Sequence, residues 1–254
     1  MKKTLIILLM ISFSHSARAI VNVSDLHLTD YQLGFSGDLA ATLSSLSGNS
    51  NQQEYELGSS LRWTGDNHSH FLLMDRGYGE SQSSPYVDKA FIHMRNIWQR
   101  NPGFAWELYL QTEEDKFARL TSRHLLGAGA RFTLLFGKQG KLHLGSGLFQ
   151  EQETLFDSGT TTDAGTQTLN RANIYLILEL KLDKKLKLVS STYLQPDLGN
   201  AVDYRLLQQA SLKYRLNKSM SLKLSLDIKQ DNAPPQTVKT TDSGLKLGLE
   251  YKFW

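Results

Sequence analysis

Cysteine is absent from the 254 residues, and proline occurs only five times. Without thiols the chain has no disulfide framework, no thiolate zinc site, no cysteine nucleophile and no lipid-bearing cysteine. Foldability does not suffer, because a chain of this length buries a sizeable core without covalent staples. Long apolar runs are also scarce. A mean hydropathy of −0.34 with 40% hydrophobic residues excludes a polytopic helical membrane protein.

One apolar run does stand out, Leu5 to Phe13, and its nine residues are too few to cross a bilayer as a helix. It follows the basic pair Lys2 and Lys3 and precedes Ala17-Arg18-Ala19, a small-x-small cleavage site. This is the layout of an export signal, so residues 1–19 are expected to be removed after Ala19. Residues 20–30 are expected to form a short periplasmic segment, and residues 31–254 a single domain. The formal charge of +3 disappears with Lys2, Lys3 and Arg18, leaving 25 bases against 25 acids. It is therefore no argument for nucleic acid, which is not expected as a partner. The balance hides an asymmetry: residues 20–130 carry 8 bases and 13 acids, residues 131–254 carry 17 and 12.

What fills the mature chain is alternation of period two, the signature of β-strands with two unlike faces. At the C-terminus Leu245, Leu247, Leu249, Tyr251 and Phe253 share one face, and Gly244, Lys246, Gly248, Glu250 and Lys252 the other. The same pattern occupies 220–228, 204–216, 172–180, 142–148, 124–136, 104–110, 55–63 and 31–43. Weaker alternation marks 70–78, 87–98 and 186–195. Twelve strands are thus expected. About eleven residues, tilted by about 40°, rise close to 28 Å, which matches the roughly 25 Å apolar band of a membrane barrel. Short turns are expected at 65–67, 101–103, 137–140, 183–185 and 217–218. Longer loops are expected at 46–52, 79–86, 113–121, 152–168, 195–203 and 230–242. This asymmetry suits an outer-membrane barrel with its short turns in the periplasm. Trp63, Trp98, Trp106 and Trp254, with Phe104, Phe132, Phe136, Tyr251 and Phe253, would girdle that end. Tyr55, Tyr78, Tyr193 and Tyr204 would girdle the other. The fold class is then all-β: a closed antiparallel transmembrane β-barrel of about twelve strands in an up-and-down meander. A soluble periplasmic barrel with inward apolar stripes is the alternative.

Short motifs agree with this reading. Gly34-Phe35-Ser36-Gly37, Leu46-Ser47-Gly48-Asn49, Asp115 to Leu120, Arg123, Gly127-Ala128-Gly129, Asp203-Tyr204-Arg205 and the ending Leu249 to Phe253 resemble, in order and spacing, the YdiY-type salt-induced outer-membrane protein family, a domain of unknown function. The resemblance spans nearly the whole mature chain. It implies a Gram-negative outer-membrane location and no established activity. It also implies partners: outer-membrane lipid, lipopolysaccharide, periplasmic chaperones and the barrel assembly machinery. Leu249, Tyr251, Phe253 and Trp254 resemble the terminal assembly signal, with Trp254 one residue out of phase.

For function, the ionic stripe is the informative surface. The lumen is expected to receive Asp38, Glu54, Glu56, Arg62 and Glu107 from the acidic half. From the basic half it would receive Arg171, Glu179, Lys181, Arg205, Lys213, Arg215, Lys223, Lys246 and Lys252. Gly127, Gly129, Gly145, Gly147, Gly244 and Gly248 would make room for these side chains. The two sets would pair across the lumen and fill it, or line a narrow pore with a transverse field. No cofactor, metal or catalytic residue is expected. Three weaker features point elsewhere. His68 and His70 share a face but lack a third ligand. His124 near the outer end is where a surface hydrolase of lipid or lipopolysaccharide would work. Glu113-Glu114-Asp115 would hold a divalent cation if it formed a loop.

Overall fold

A computed structural model of the chain describes residues 33–46, 52–82, 84–136 and 139–253. The export signal, the segment 20–30, Tyr31 and Trp254 lie outside the described residues. Twelve strands follow in order: β1 (Gly34–Leu46), β2 (Gln52–Thr64), β3 (His68–Ser81), β4 (Ser84–Asn101), β5 (Phe104–Asp115), β6 (Leu120–Phe136), β7 (Gly140–Leu155), β8 (Gly165–Lys181), β9 (Leu186–Pro196), β10 (Tyr204–Arg215), β11 (Met220–Asp231) and β12 (Thr241–Phe253). Each pairs antiparallel with the next, and β12 returns to β1, closing the barrel. Closure satisfies the backbone within the sheet and leaves side chains to decide the two environments.

Those environments are opposite to a soluble protein's. Leu43, Leu126, Leu148, Leu245 and Leu247 are 82, 54, 58, 65 and 59% exposed on the outside. Inside, Arg131, Arg171, Glu151, Glu153 and Glu179 are at most 2% exposed. Water would have to wet a continuous leucine surface around the barrel, whereas acyl chains solvate it without cost. The stripes that alternate along the sequence therefore face lipid with their apolar half. This excludes the soluble alternative with inward leucines.

At the short-turn end, Trp98 and Trp106 are 41 and 52% exposed. Phe104 packs against Trp106 and Phe132 with ring centroids 5.0 and 5.1 Å apart. Tyr251 is exposed nearby on β12. At the opposite end the Tyr55 and Tyr78 rings meet at 5.4 Å. Tyr193 departs from the expected outer girdle. It is 4% exposed inside the barrel, where it packs on Tyr175 at 5.2 Å. The reason is parity, since Tyr193 is in phase with the inward Val189 and Ser191.

The turns at the short end match the expected positions. Asp183 shows their chemistry: its carboxylate accepts from the backbone N–H groups of Lys185 and Leu186. These two bonds favour the ionised form and lower its pKa. The long-loop end differs in three places. Strands β3 and β4 run on to Ser81 and Ser84, so most of the expected loop 79–86 is strand, with Gln82 left-handed at φ 50°. The expected loop 113–121 shrinks to a 3₁₀ turn, Lys116–Ala118, capped by the Asp115 carboxylate. The loop 152–168 shortens to 156–164 between β7 and β8. The second and third extensions add inward charged positions, Glu113 and Glu153.

Two glycines have a specific packing role. A Cβ built on Gly127 would fall within the Tyr109 ring, and one on Gly145 within the Tyr175 ring. The expectation that they make room for long ionic side chains is corrected: they seat aromatic rings flat on β6 and β7. Gly145→Val is expected to displace Tyr175 and destabilise the barrel by about 1–3 kcal/mol, the usual range for overpacking. Urea unfolding of the protein folded in lipid vesicles measures this.

Candidate functional site: the barrel lumen

The inward positions of β4 to β9 are almost all buried, and their charges form two layers. The layer nearer the short turns centres on Glu107 of β5. Its carboxylate accepts from the Tyr175 hydroxyl at 2.7 Å and lies 3.4 Å from Arg95 and 3.2 Å from Arg131. The Arg95 guanidinium also sits 5.1 Å over the Tyr109 ring. Beside it, His93 meets Gln111 at 3.1 Å and His143 meets Thr133 at 2.9 Å.

The layer nearer the long loops is larger. Arg205 of β10 donates to Glu151 at 2.8 Å, Glu153 at 2.9 Å and Asp231 at 2.9 Å. Arg171 of β8 donates to Glu151 at 2.7 Å and Asp203 at 2.9 Å. Arg123 of β6 donates to Glu153 at 2.6 Å and Glu113 at 3.0 Å. Guanidinium groups suit this role because each presents several donors in a fixed plane. At the level of Arg171 and Arg205 side chains crowd this side of the lumen, with those residues 1 and 5% exposed.

On the remaining wall, β1, β2, β11 and β12, many inward side chains are half-buried, while Thr64, Ser225, Asp227 and Asp231 are buried. A cavity of about 90 Å³ lies there against Ala40, Thr42, Glu56, Gly58, Lys246 and Gly248. Glu56 is held by Lys246 at 2.5 Å and Lys89 at 3.1 Å, and Lys213 binds Glu250 at 2.7 Å. A second cavity of about 90 Å³ lies among the arginine layers, against Tyr109, Glu151, Asn173 and Arg205, so the free space of the lumen is divided between the two sides.

The outer mouth is crossed by two loops that meet over it. Arg119, left-handed at φ 58° and 4% exposed, donates to Asp163 at 2.6 Å, to the Gln236 carbonyl at 3.0 Å and to the Phe156 carbonyl at 2.9 Å. Asp163 also accepts from the Gln236 backbone N–H at 2.7 Å. These bonds lower the Asp163 pKa, the Gln236 N–H contributing most and Arg119 next. Loop 156–164 is thereby tied to loop 232–240.

The expected lumen residues distribute as follows. Asp38 accepts from Ser60, Glu54 from Tyr86 at 3.2 Å, and Arg62 lies 4.8 Å over the Phe71 ring. Glu56, Glu107, Arg171, Arg205, Lys213 and Lys246 join the networks above, and Glu179 pairs with Lys187 at 2.7 Å. Arg215 is corrected: it sits exposed at the rim, donating to the Lys184 carbonyl, because β10 ends there. Glu113-Glu114-Asp115 is also corrected as a cation loop. Strand alternation splits it, sending Glu113 inward to Arg123, Glu114 outward, and Asp115 onto the 3₁₀ turn. His124 is on the outer face against Thr112 at 3.0 Å, and the His68 and His70 rings meet at 5.5 Å. Among the described residues no three His, Asp or Glu gather as metal ligands. Sequence reasoning missed Lys89, Arg95, Arg123, Arg131, Glu151 and Glu153. Counting the inward phase beyond the apolar run would have found Glu151 and Glu153.

At the C-terminus, Leu249, Tyr251 and Phe253 keep the outward phase, and Gly37 on β1 leaves room for the Phe253 ring.

A closed twelve-stranded antiparallel barrel, apolar outside and ionic inside, is the fold of outer-membrane barrels. Residues 39–253 match the family described as "Protein of unknown function, DUF481", and the chain belongs to that family, in line with the resemblance in its motifs. No curated protein matches the sequence. Among solved structures, an outer membrane channel from Pseudomonas putida F1 is similar at 10% identity, TM-score 0.53, covering 87% of this chain and 96% of that one. The NanC porin is similar at 8% identity, TM-score 0.51, covering 86% of this chain and 100% of that one. At such identities the likeness is one of fold.

Proposed function

We propose that the protein is a non-catalytic outer-membrane barrel of a Gram-negative cell that passes small solutes slowly through a narrow, charge-lined lumen. The signal-like N-terminus supports export with cleavage after Ala19, and the leucine exterior supports residence among lipid and lipopolysaccharide. The terminal strand supports handling by periplasmic chaperones and the barrel assembly machinery. The names of the two structural neighbours, a channel and a porin, agree with a transport role.

The observation that carries the reading is a lumen lined by charge that keeps small cavities on both sides. One cavity of about 90 Å³ lies among the arginine layers of the β4–β10 side, and another of about 90 Å³ lies against β11, β12, β1 and β2. Twelve strands enclose more than side chains must fill in an eight-stranded barrel and less than a wide porin. A narrow path bordered by charges of both signs suits small polar solutes. In planar bilayers the folded protein is expected to give small, steady current steps. Complete absence of steps from folded protein would remove the pore. Incubation with phospholipid and lipopolysaccharide, followed by mass analysis, is expected to yield no product, and product formation would show a hydrolase.

A further inference from the structure

The short-turn end of the barrel gathers exposed bases on one side. The turn after β8 presents Lys184 and Lys185, β10 ends in Arg215, the turn after it presents Lys218, and β12 contributes Lys252. Backbone bonds hold these strand ends side by side. The Arg215 N–H donates to the Lys185 carbonyl at 2.8 Å, and the Lys252 N–H to the Ser219 carbonyl at 2.8 Å. The Arg215 guanidinium also donates to the Lys184 carbonyl. All five bases are exposed.

The acids near them are engaged elsewhere. Asp183 shares the turn, and its carboxylate accepts from the N–H groups of Lys185 and Leu186 at 2.5 and 2.7 Å. Glu179 faces inward to Lys187 at 2.7 Å, and Glu250 faces inward to Lys213 at 2.7 Å. Among the described residues no carboxylate pairs with Lys184, Lys185, Lys218 or Lys252. On the other side of the same end, Asp66 and Arg100 cancel. Bases crowded in this way repel one another until an anion joins them.

The height of that anion is set by the apolar residues of the rim. Leu182, Tyr214, Leu216 and Tyr251 are 53, 42, 47 and 51% exposed. Leu182 continues the outward phase of β8, and Tyr214 and Leu216 that of β10. They mark the edge of the hydrocarbon, with tyrosine at the interface. The Lys185 ammonium lies 5.9 Å from the centre of the Tyr214 ring. Lysine stems can run along such a rim and hold their heads at the level of lipid phosphates. A soluble acidic partner would answer the charges and leave the leucines uncovered. A lipid answers both.

We infer that the short-turn rim of β8 to β12 is a docking site for an anionic phospholipid, its phosphate among Lys184, Lys185, Arg215 and Lys218 and its acyl chains on Leu182, Tyr214 and Leu216. A zwitterionic lipid brings an ammonium of its own and gains less. The inference rests on residence in the bilayer and adds the class of lipid held at one rim.

The test uses folded protein in phosphatidylcholine vesicles. A trace of phosphatidylglycerol with a diazirine on one acyl chain is compared with phosphatidylcholine of the same chains. Labelled residues are mapped by mass spectrometry. Both leaflets carry the probe, so the direction of insertion does not enter. The anionic probe is expected to label the segments around Leu182 and Leu216 about fivefold more, equivalent to about 1 kcal/mol. At about 1 M salt, where the Debye length is about 3 Å, the excess is expected to vanish. The triple variant Lys184→Gln, Lys185→Gln, Lys218→Gln is expected to lose it too. Arginine at the same three positions is expected to keep it, which controls for folding. Inorganic phosphate is expected to act no more strongly than chloride of equal ionic strength, and a stronger effect assigns the rim to free phosphate and overturns the lipid. An excess that survives the glutamine variant, or maps to the long-loop end, overturns the site. Equal labelling by the two probes overturns the proposal and leaves bilayer residence standing, even where the rim retains an acidic cell-wall peptide. No labelling by either probe overturns bilayer residence itself.

Discussion

Arg205→Ala is expected to cost about 3–5 kcal/mol of barrel stability, the range for removing one partner of a buried ion pair. Its guanidinium contacts Glu151, Glu153 and Asp231 at 2.8 to 2.9 Å, and no other side chain of the outer layer serves three carboxylates at that range. Without it, Glu151 retains Arg171 and Glu153 retains Arg123, but Asp231 loses its guanidinium and the carboxylates face one another across less positive charge. Two responses are open to the lumen, protonation of a carboxylate or admission of water. Either thins the filled side. The substitution is therefore expected to raise single-channel conductance as well as lower the urea midpoint in vesicles. Arg205→Lys is expected to recover only part of the loss, because a point charge on a flexible stem cannot hold three acceptors in a plane. A variant as stable and as resistive as the original would show that the network is not what fills the lumen.

How far this network was legible depends on what reports each part of it. The strands were readable where apolar and polar residues alternate without interruption, as in β12 from Leu245 to Phe253. Toward the long loops the outward positions stop being apolar, because they leave the hydrocarbon. In β7 the outward residues after Leu148 are Gln150, Gln152 and Thr154, so the period vanishes from hydropathy while the ladder continues to Leu155↔Gly165. Glu151 and Glu153 were lost to a loop for that reason. Glycine had a similar effect in β3. Gly77 and Gly79 carry no side chain to alternate, and a register shift between Gly79 and Glu80 breaks the count.

The charge asymmetry between the two halves of the chain was a better guide than any single residue. A meander closes its last strand on its first, so acidic and basic halves must meet. They do so at Lys246 with Glu56, across 190 positions, and Lys229 approaches Glu113 at 4.0 Å. Arg95 could not be foreseen in this way, since it pairs within its own neighbourhood, with Glu107. Composition reports net imbalance between regions and is blind to ion pairs that cancel locally. Nor does any strand pattern foretell the contact of loops 156–164 and 232–240, because polar side chains at turns make it with one another and with backbone groups.

That loop contact gives the second large effect. Arg119→Ala removes three hydrogen bonds from a buried cation, two of them to carbonyls of different loops. At about 1.5–3 kcal/mol for each bond to a charged group, loss of even one releases most of the clasp. The mouth is expected to open and conductance at neutral pH to rise, with little change in global stability because the ladders below are untouched. Acid should imitate the substitution. The Asp163 pKa is lowered in the folded protein, so its carboxylate contributes to the clasp throughout neutral pH. That contribution is lost only as pH falls below the ordinary carboxylate range through the lowered value. The unmodified protein is then expected to conduct more only below that range, and Asp163→Asn to conduct more already at neutral pH. In the Arg119→Ala variant the mouth is already open and acid is expected to add little. An acid response of equal size with and without Arg119 would place the titrating gate in the ionic layers of the lumen instead of in the loops.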